Sequence, residues 1–221
     1  MFPKTEAYQY FNMENLNQHI ELHYLREGLY EDIISRLKEQ NIVLDSVKRS
    51  DIAGVDEFHV RGAEVSKELA NSIDINGLKV LDVGCGLGGP CRMLADEYNC
   101  KAAGIDLSNE YNRTAKKLSK LVNLDHKTTF IQGDATDLPF EDNTFDAITV
   151  AFGIRNFETL EKGLKEIQRV LKPGGAFLIL ETSVPTKIPY KQGYNFYSKN
   201  ILPLIGRVFS KDKIAYNYLY Y

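Results

Sequence analysis

The sequence has few cysteines, no long apolar run and little net charge, and each shortage argues against a class of protein. The cysteines number only three, an odd count without metal-site spacing: Cys85, Cys91 and Cys100. We therefore expect free thiols rather than disulfides, and no metal ligands. No apolar stretch approaches the roughly 18 residues that span a bilayer, and the polar start of the chain is unlike a secretion signal. We expect a cytoplasmic protein.

The charged residues nearly balance, with 27 Lys and Arg against 30 Asp and Glu, and this argues against a nucleic-acid partner. A chain of 221 residues that is 43% hydrophobic can bury one substantial core. We expect an N-terminal helical extension over residues 1–62 and a core domain over residues 63–221. The extension has a helical pattern that breaks near Gly28. It either lids the active site or packs on the core.

A strand, a glycine turn and a helix follow one another from residue 80 onward. The strand is a short apolar run of β type that contains Val80, Leu81 and Val83. The glycines of the turn are Gly84, Gly86, Gly88 and Gly89. Without side chains, they let the backbone turn sharply and approach a ligand. Apolar residues then resume at helical spacing, and the whole stretch predicts a cradle for a nucleotide-type cofactor.

Two acids near the turn indicate adenosine without identifying the cofactor. The glycine spacing also satisfies the dinucleotide pattern G-x-G-x-x-G, so a nicotinamide-dependent reductase stays open as an alternative. Asp82, just before the turn, would repel a pyrophosphate and suits a ligand that carries an ammonium group and no phosphate. Asp106 ends the next predicted strand about twenty residues later, where an acid binds ribose hydroxyls in either cofactor class.

Short apolar runs alternate with helical patterns through the rest of the core. The runs are 130–132, 145–151 and 176–180. This rhythm predicts an α/β fold with a doubly wound, mostly parallel sheet. Ligands then bind outside the carboxyl ends of the strands, where Asp82, Asp106 and Asp134 fall. The helix predicted at 159–171 should turn five apolar side chains to the core: Leu160, Leu164, Ile167, Val170 and Leu171.

Three motifs in this order resemble those of class I S-adenosylmethionine (SAM) methyltransferases. They are Val80 to Gly88, the run Gly133-Asp134-Ala135-x-x-Leu138-Pro139-Phe140, and Phe145-Asp146. The resemblance implies a Rossmann-like fold with SAM as the cofactor and Asp134 bonded to the adenine amino group. The cofactor-binding positions that it implies are Asp82, Gly84, Gly86, Gly88, Asp106, Leu107, Asp134 and Ala135.

The two halves of the chain resemble different methyltransferase subfamilies. Over roughly residues 20–125, the run Val55-Asp56-Glu57-Phe58-His59 and the glycine turn resemble glycine-, sarcosine- and dimethylglycine-type N-methyltransferases. From Leu138 onward, the chain resembles ubiquinone/menaquinone biosynthesis C-methyltransferases. The most specific motif of that part is Phe152-Gly153-Ile154-Arg155-Asn156-Phe157, followed by Arg169-Val170-Leu171-Lys172-Pro173-Gly174-Gly175.

The favoured interpretation is SAM-dependent C-methylation of a demethylated prenyl-quinol. His59 follows two carboxylates and can titrate near neutral pH, so it is the candidate base that removes a phenolic proton. Arg155 and Asn156 would orient the ring oxygens. Two alternatives stay open: N-methylation of a small amine, and a SAM-binding protein or fragment without activity.

The resemblance implies seven strands, whereas the sequence pattern predicts only five. Without the closing antiparallel pair, the fifth strand would be an exposed edge, which a second copy of the chain could cover. Between Lys187 and Lys213, cations alternate with aromatic residues such as Tyr190 and Phe209. These residues suit a lipid quinol at a membrane surface, peripheral to the inner membrane face, or else pack on the core with solvated lysines.

Overall fold

The computed structural model describes residues 28–56, 62–181 and 185–201. The chain divides into two compact units, residues 1–181 and 182–221. The strands are β1 Lys79–Val83, β2 Lys101–Asp106, β3 Thr128–Gln132, β4 Phe145–Ala151 and β5 Leu171–Leu180. The α-helices are α1 Leu29–Glu39, α2 Ala53–Asp56, α3 Ala63–Ala70, α4 Gly89–Glu97, α5 Asn109–Leu121, α6 Leu160–Val170 and α7 Tyr190–Phe196. Shorter helices are Leu44–Ser46, Arg49–Ile52, Ile154–Asn156 and the π-helix Tyr197–Ile201.

The strands form one parallel sheet in the order β3-β2-β1-β4-β5. In the central strand, Val80 pairs with Ala102 of β2 on one side and with Ala147 of β4 on the other. The strand order reverses between β1 and β4, since β2 and β3 continue to one side of β1 and β5 to the other. Such a switch point is where ligands bind in open α/β sheets. The prediction of a parallel α/β sheet is confirmed.

Successive residues of β1 contribute to two separate cores. Val80 belongs to a buried cluster with Met93 and Leu94 of α4. Its neighbour Leu81 belongs to a second cluster with Ile167 of α6. Because neighbouring side chains of a strand point to opposite faces, helices cover both faces of the sheet. The predicted doubly wound arrangement is therefore confirmed.

The described part of the N-terminal extension packs on the core through its own apolar cluster. Ile33 and Leu37 of α1 are buried with Val47, Ile52 and Leu118, the last of these from α5. These contacts agree with the packing alternative for residues 28–56. The boundary expected at residue 62 stays a prediction.

Helix α6 buries a narrower face than the sequence pattern predicted. Ile167 and Val170 are buried, but Leu160 is 49% exposed and Leu164 is 36% exposed, so their assignment to the core was wrong. The buried face begins at Gly163, where a Cβ would overlap the ring of Phe157. Because glycine has no apolar side chain, the hydrophobic pattern assigned the core face to the two leucines and left out Gly163.

Strand β5 is an exposed edge within the described residues. It begins earlier than predicted, at Leu171, and its pairing with β4 is irregular between Phe145 and Ala147. Ile179 is 46% exposed. No antiparallel strand joins the sheet in the part of the chain that the structure describes. Nor is any helix in residues 28–56, 62–181 or 185–201 long and apolar enough to cross a bilayer.

Candidate cofactor site

The glycine turn lies between the carboxyl end of β1 and the start of α4. Gly84, Gly86 and Gly88 all have positive φ angles, of 75°, 53° and 80°, a region that side chains disfavour. The N–H groups of Gly84 and Cys85 both donate to the carbonyl of Ile105, at 2.8 and 3.1 Å. The turn is therefore tied to β2, the neighbouring strand.

The glycines of the turn are required for different reasons. A Cβ on Gly86 would meet nothing within 4 Å, so this glycine faces open space. A Cβ on Gly88 would overlap the ring of Phe130 and lie 3.2 Å from the Cβ of Ala115. Gly88 is therefore needed for packing, whereas Gly86 leaves room for a ligand against the backbone.

Asp82 lies buried on β1, opposite Thr149 in the register of β4. The Thr149 hydroxyl donates to Asp82 Oδ1 at 2.7 Å. Burial raises the pKa of Asp82 to about 7, although the Thr149 hydrogen bond opposes the shift. A small, mainly apolar cavity beside these two residues is also lined by Leu69 of α3 and Met93 of α4. A cationic group next to Asp82 would favour its ionised form.

Thr149 is a residue that the sequence analysis missed. The signal was present, since it is the hydroxyl residue in the apolar run Ala147-Ile148-Thr149-Val150-Ala151 of a buried strand. A buried hydroxyl needs a hydrogen-bond partner, but only the strand register shows that this partner is Asp82.

Asp106, at the end of β2, accepts two backbone hydrogen bonds. Gly86 donates to Oδ2 and Ser108 donates to Oδ1, each at 2.9 Å. Burial raises the pKa of Asp106, and these two hydrogen bonds oppose the rise. The structure thus joins the glycine turn to the acid that was expected to bind ribose. Asn112, which the sequence analysis missed, donates to the carbonyls of Asp106 and Ser108 at 2.9 and 2.8 Å.

The residues expected around the adenine follow β2 and β3. Asp134 Oδ1 accepts from the Thr136 N–H at 2.8 Å, which fixes the start of the loop after β3. Ala135 is half-buried, against the core cluster on the α6 side of the sheet. Leu107 is half-buried, and its carbonyl accepts from Gln132 Nε2 at 3.1 Å.

The first residues after β4 approach the glycine turn. A Cβ on Gly84 would lie 3.9 Å from the Cα of Gly153, so the loops after β1 and β4 lie close together. Phe152 has a φ of 55°, a conformation that is strained for an aromatic residue. Such strain is characteristic of functional sites, and here it lies at the switch point of the sheet.

The candidate acceptor-binding residues lie in and beside the short helix Ile154–Asn156. Arg155 donates to Glu181 Oε1 at 2.8 Å, and its guanidinium carbon lies 5.8 Å from the centre of the Phe152 ring. Asn156 is exposed. Both are therefore placed just beyond the carboxyl end of β4.

His59, the candidate base, lies outside the described residues. Asp56, one of the two carboxylates expected beside it, is buried and accepts from Arg92 Nε through Oδ1 and Oδ2 at 3.1 and 3.2 Å. Asp56 therefore serves as a partner of Arg92 in the structure. Sequence reasoning missed Arg92, because nothing in the sequence distinguishes a buried arginine on a helix from an exposed one.

The described arrangement fits SAM. The crevice offers a buried acid for an ammonium group, a second acid for a ribose and open space over Gly86. The turn also contains Cys85, but burial raises the pKa of its thiol and keeps it in the neutral form, which is a poor nucleophile. The site therefore favours a reaction in which the cofactor supplies the reactive group.

Comparison with known proteins agrees with this cofactor. The sequence model of the ubiE/COQ5 methyltransferase family matches residues 59–221. A demethylmenaquinone methyltransferase of Porphyromonas gingivalis is 46% identical over 144 residues, which is 63% of this chain and 58% of that protein. A demethylmenaquinone methyltransferase of Staphylococcus carnosus is 36% identical over 182 residues, 81% of this chain and 73% of that protein. The chain thus spans less than two thirds of the first relative.

Solved structures also share the fold. One, described as a candidate sarcosine dimethylglycine methyltransferase from Galdieria sulphuraria, has a TM-score of 0.51 and 25% identity. The match covers 52% of this chain and 46% of that one. The family match covers most of the sequence and includes the whole cofactor crevice after residue 62. This chain therefore belongs to the ubiE/COQ5 methyltransferase family.

Proposed function

We propose that this chain transfers the methyl group of SAM to a ring carbon of a demethylated prenyl-quinol. The proposal rests on one observation, which lies at the switch point of the sheet. There the Asp106 carboxylate accepts from the N–H of Gly86, a glycine that faces open space. Family membership identifies SAM as the cofactor of this crevice. The names of the Porphyromonas and Staphylococcus relatives support a quinol as the acceptor.

The chain would hold SAM through residues that the structure brings to one edge of the sheet. Asp82 would pair with the ammonium group, and Asp106 would accept from the ribose hydroxyls. Leu107, Asp134 and Ala135 would surround the adenine. When bound, SAM supplies a methyl group on a positively charged sulfur, which leaves as neutral S-adenosylhomocysteine (SAH). The protein chiefly aligns the donor with the acceptor, a contribution of roughly 7–11 kcal/mol in well-oriented reactions.

His59 would act on the acceptor by taking the phenolic proton, which makes the neighbouring ring carbon nucleophilic. That carbon would then take the methyl group that SAM supplies, and release of the ring proton to solvent would restore aromaticity. Arg155 would orient a ring oxygen, since its contact with Glu181 limits its orientations. Asn156 would do the same from one residue further along.

The second unit supports a lipid acceptor at a membrane surface. Residues 185–201 contain three lysines and no acid. Three of the apolar side chains there are largely exposed: Ile188 at 73%, Tyr190 at 72% and Phe196 at 61%. Exposed aromatics among lysines suit the interface of an anionic membrane. We place the protein peripherally at the inner membrane face, and a second copy of the chain could cover the β5 edge.

The test is incorporation of tritiated methyl from SAM into matched concentrations of a demethylated prenyl-naphthoquinol, its benzoquinol counterpart, glycine and sarcosine. We expect transfer to a quinol and little to the amines, because Phe152 and the Arg155–Asn156 pair suit a flat phenolic ring, whereas a small zwitterion would leave buried polar groups unpaired. His59→Ala should lower the rate roughly 10²–10⁴-fold without changing SAH affinity. Faster transfer to an amine would contradict the quinol assignment.

Two alternatives predict different outcomes of this test. The Galdieria structure at 25% identity favours the first, N-methylation of a small amine. The second is a protein that binds SAM and methylates no acceptor. Binding of SAH without transfer to any of the four acceptors would favour the second alternative over the enzyme.

A further inference from the structure

We infer that Arg92 is a positioning residue that holds the glycine turn in its cofactor-binding shape. It does so by joining the carbonyl of Leu87, inside the turn, to the carboxylate of Asp56 at the end of α2. The inference concerns SAM binding only, so it does not depend on which acceptor is methylated. It also assigns a role to an acid that the sequence had placed beside the candidate base.

Arg92 is fully buried, and the donors of its guanidinium are distributed over three parts of the first unit. Nε and Nη2 both bond to Asp56, and Nη2 also donates to the carbonyl of Leu87 at 2.7 Å. Nη1 donates to the carbonyl of Ala115 at 3.3 Å and lies 3.5 Å from Ser119 Oγ. A planar fork of donors can make these bonds together, which a lysine ammonium on its flexible stem cannot.

The bond to Leu87 gives this cluster a consequence beyond stability. Leu87 lies between Gly86, whose N–H binds Asp106, and Gly88, whose α-carbon packs on Phe130. Asp106 therefore restrains the turn from the strand side, and Arg92 restrains it from the helix side. Buried ion pairs can often be replaced by apolar residues without loss of stability, but an apolar residue cannot donate to the Leu87 carbonyl.

A second ion pair joins the same parts of the chain and offers a matched control. Arg49, in the short helix before α2, donates to Asp96 at 3.1 Å and also pairs with Glu97. Both acids lie at the carboxyl end of α4, whereas Arg92 and the glycine turn lie at its amino end. Arg49 is also attracted by the charge of Asp56, but the bonds from Arg92 to Asp56 and Leu87 do not involve it. Loss of the Arg49 pairs should therefore loosen the extension on α4 while the turn keeps its restraint.

The experiment measures the affinity of the full chain for SAH by calorimetry, at a temperature where thermal melting shows each variant to be folded. Arg92→Met removes the guanidinium from beside the buried carboxylate of Asp56, which is costly, and the double variant Asp56→Leu/Arg92→Met reduces that cost by removing the carboxylate as well. We expect the double variant to melt closer to the parent than Arg92→Met does. Its affinity for SAH should nevertheless stay roughly tenfold or more below the parent.

Two further variants complete the design. Arg49→Met should bind SAH within about twofold of the parent, because a loosened extension alone leaves the turn in place. Asp56→Asn keeps a neutral partner for Arg92 and serves if the larger changes prevent folding. It should weaken SAH binding more than Arg49→Met does. Parent-like SAH affinity in Asp56→Leu/Arg92→Met would overturn the inference. So would an equal loss of affinity in Arg49→Met, since the effect would then arise from loosening alone.

Discussion

Two carboxylates of the cofactor crevice have different surroundings, and these surroundings predict how each should behave. Asp82 is buried, and its hydrogen-bond donor is the neutral hydroxyl of Thr149. Asp106 is half-buried and accepts from two backbone N–H groups. A carboxylate that burial disfavours gains most from a cationic ligand, whereas one already held by N–H donors is suited to bind hydroxyls.

Replacing Asp106 by alanine should weaken binding of SAH by roughly ten- to a hundredfold, because charge-assisted bonds to the ribose are lost. The Gly86 N–H also loses its acceptor, and this adds to the effect. Calorimetry against the parent measures the change. The control is Asp125→Ala, an exposed acid that precedes β3 at the amino end of the sheet. SAH affinity unchanged in Asp106→Ala would refute the ribose assignment.

The affinity for SAH should depend on pH through Asp82. Its pKa is raised to about 7, so the free protein at pH 6 holds this carboxyl mostly protonated, while the ammonium of the ligand needs the carboxylate. We expect SAH to bind roughly tenfold more weakly at pH 6 than at pH 8. In Asp82→Asn, binding should be weak at both values and nearly independent of pH. An equally steep pH dependence in Asp82→Asn would assign the titration to another group.

Through Asp82, the stability of the free protein should fall with rising pH, whereas the affinity for SAH should rise. The pKa of Asp82 in the folded protein is about 7, above the ordinary value of 3.8. Between these two pH values the folded state therefore holds a proton that the unfolded state has lost. The contribution of Asp82 to stability is therefore largest at low pH and falls as the pH rises toward 7. Urea unfolding should show Asp82→Asn gaining stability relative to the parent between pH 5 and pH 8. A relative loss over that range would contradict the raised pKa.

At the scale of elements, the glycine turn separates a binding role from a packing role within three residues. Gly86 faces open space, and Gly88 packs against Phe130. A residue of α6 fixes a second element, the loop after β3. Arg169 donates to the carbonyls of Leu138 and Phe140 in that loop, at 2.9 and 2.7 Å. Both segments are thus fixed by contacts distant in sequence.

The two glycines should respond differently to alanine. Each change places a side chain at positive φ, which costs about 1–2 kcal/mol. Gly88→Ala adds the overlap with Phe130, of about 1–3 kcal/mol, so its urea midpoint should fall further. Gly86→Ala should instead lose more affinity for SAH, because its Cβ enters the open space. Equal effects of both variants on stability and on SAH binding would contradict this division.

At the scale of the whole molecule, the parallel sheet supplies a rigid crevice, and the second unit supplies a basic, aromatic surface. The crevice lies where the strand order reverses between β1 and β4. The surface lies on residues 185–201, with Lys187 and Lys191 beside the exposed Tyr190. A lipid-borne quinol would require both of these features, whereas a small amine would require only the crevice.

The full chain should cosediment with vesicles that contain phosphatidylglycerol and not with pure phosphatidylcholine vesicles. The charge reversals Lys187→Glu and Lys191→Glu should each weaken binding by about 1 kcal/mol or more, because each lysine near an anionic surface contributes about that much. Added salt should reduce vesicle binding most for the parent, because the parent keeps both lysines. The control is Lys116→Glu, on an exposed position of α5. An equal loss of vesicle binding in Lys116→Glu would show that the net charge of the protein, and not the surface on residues 185–201, controls binding.

Much of the crevice was predictable because its signals are local. The strand ends follow from residue type and spacing. So does the cap of α5, where the Ser108 hydroxyl accepts from the Tyr111 N–H at 3.2 Å. The expected position of Asp106 at the carboxyl end of its strand places it next to Gly86, because parallel neighbours bring their carboxyl ends together. The face of α6 was predicted wrongly at Leu160 and Leu164 but correctly at Ile167 and Val170. Gly163 joins the buried face by packing against Phe157, a contact that depends on having no side chain.

The sequence by itself determined the order of elements, the turn at Gly84 to Gly89 and the acids at the carboxyl ends of the strands. Periodicity and the conformational freedom of glycine act within a few neighbouring residues. Only the tertiary structure decided which partners the buried polar groups have. Asp82 meets Thr149 across 67 residues, and Arg92 meets Asp56 across 36. Such pairs depend on strand register and helix packing, where a shift by one residue would change every partner.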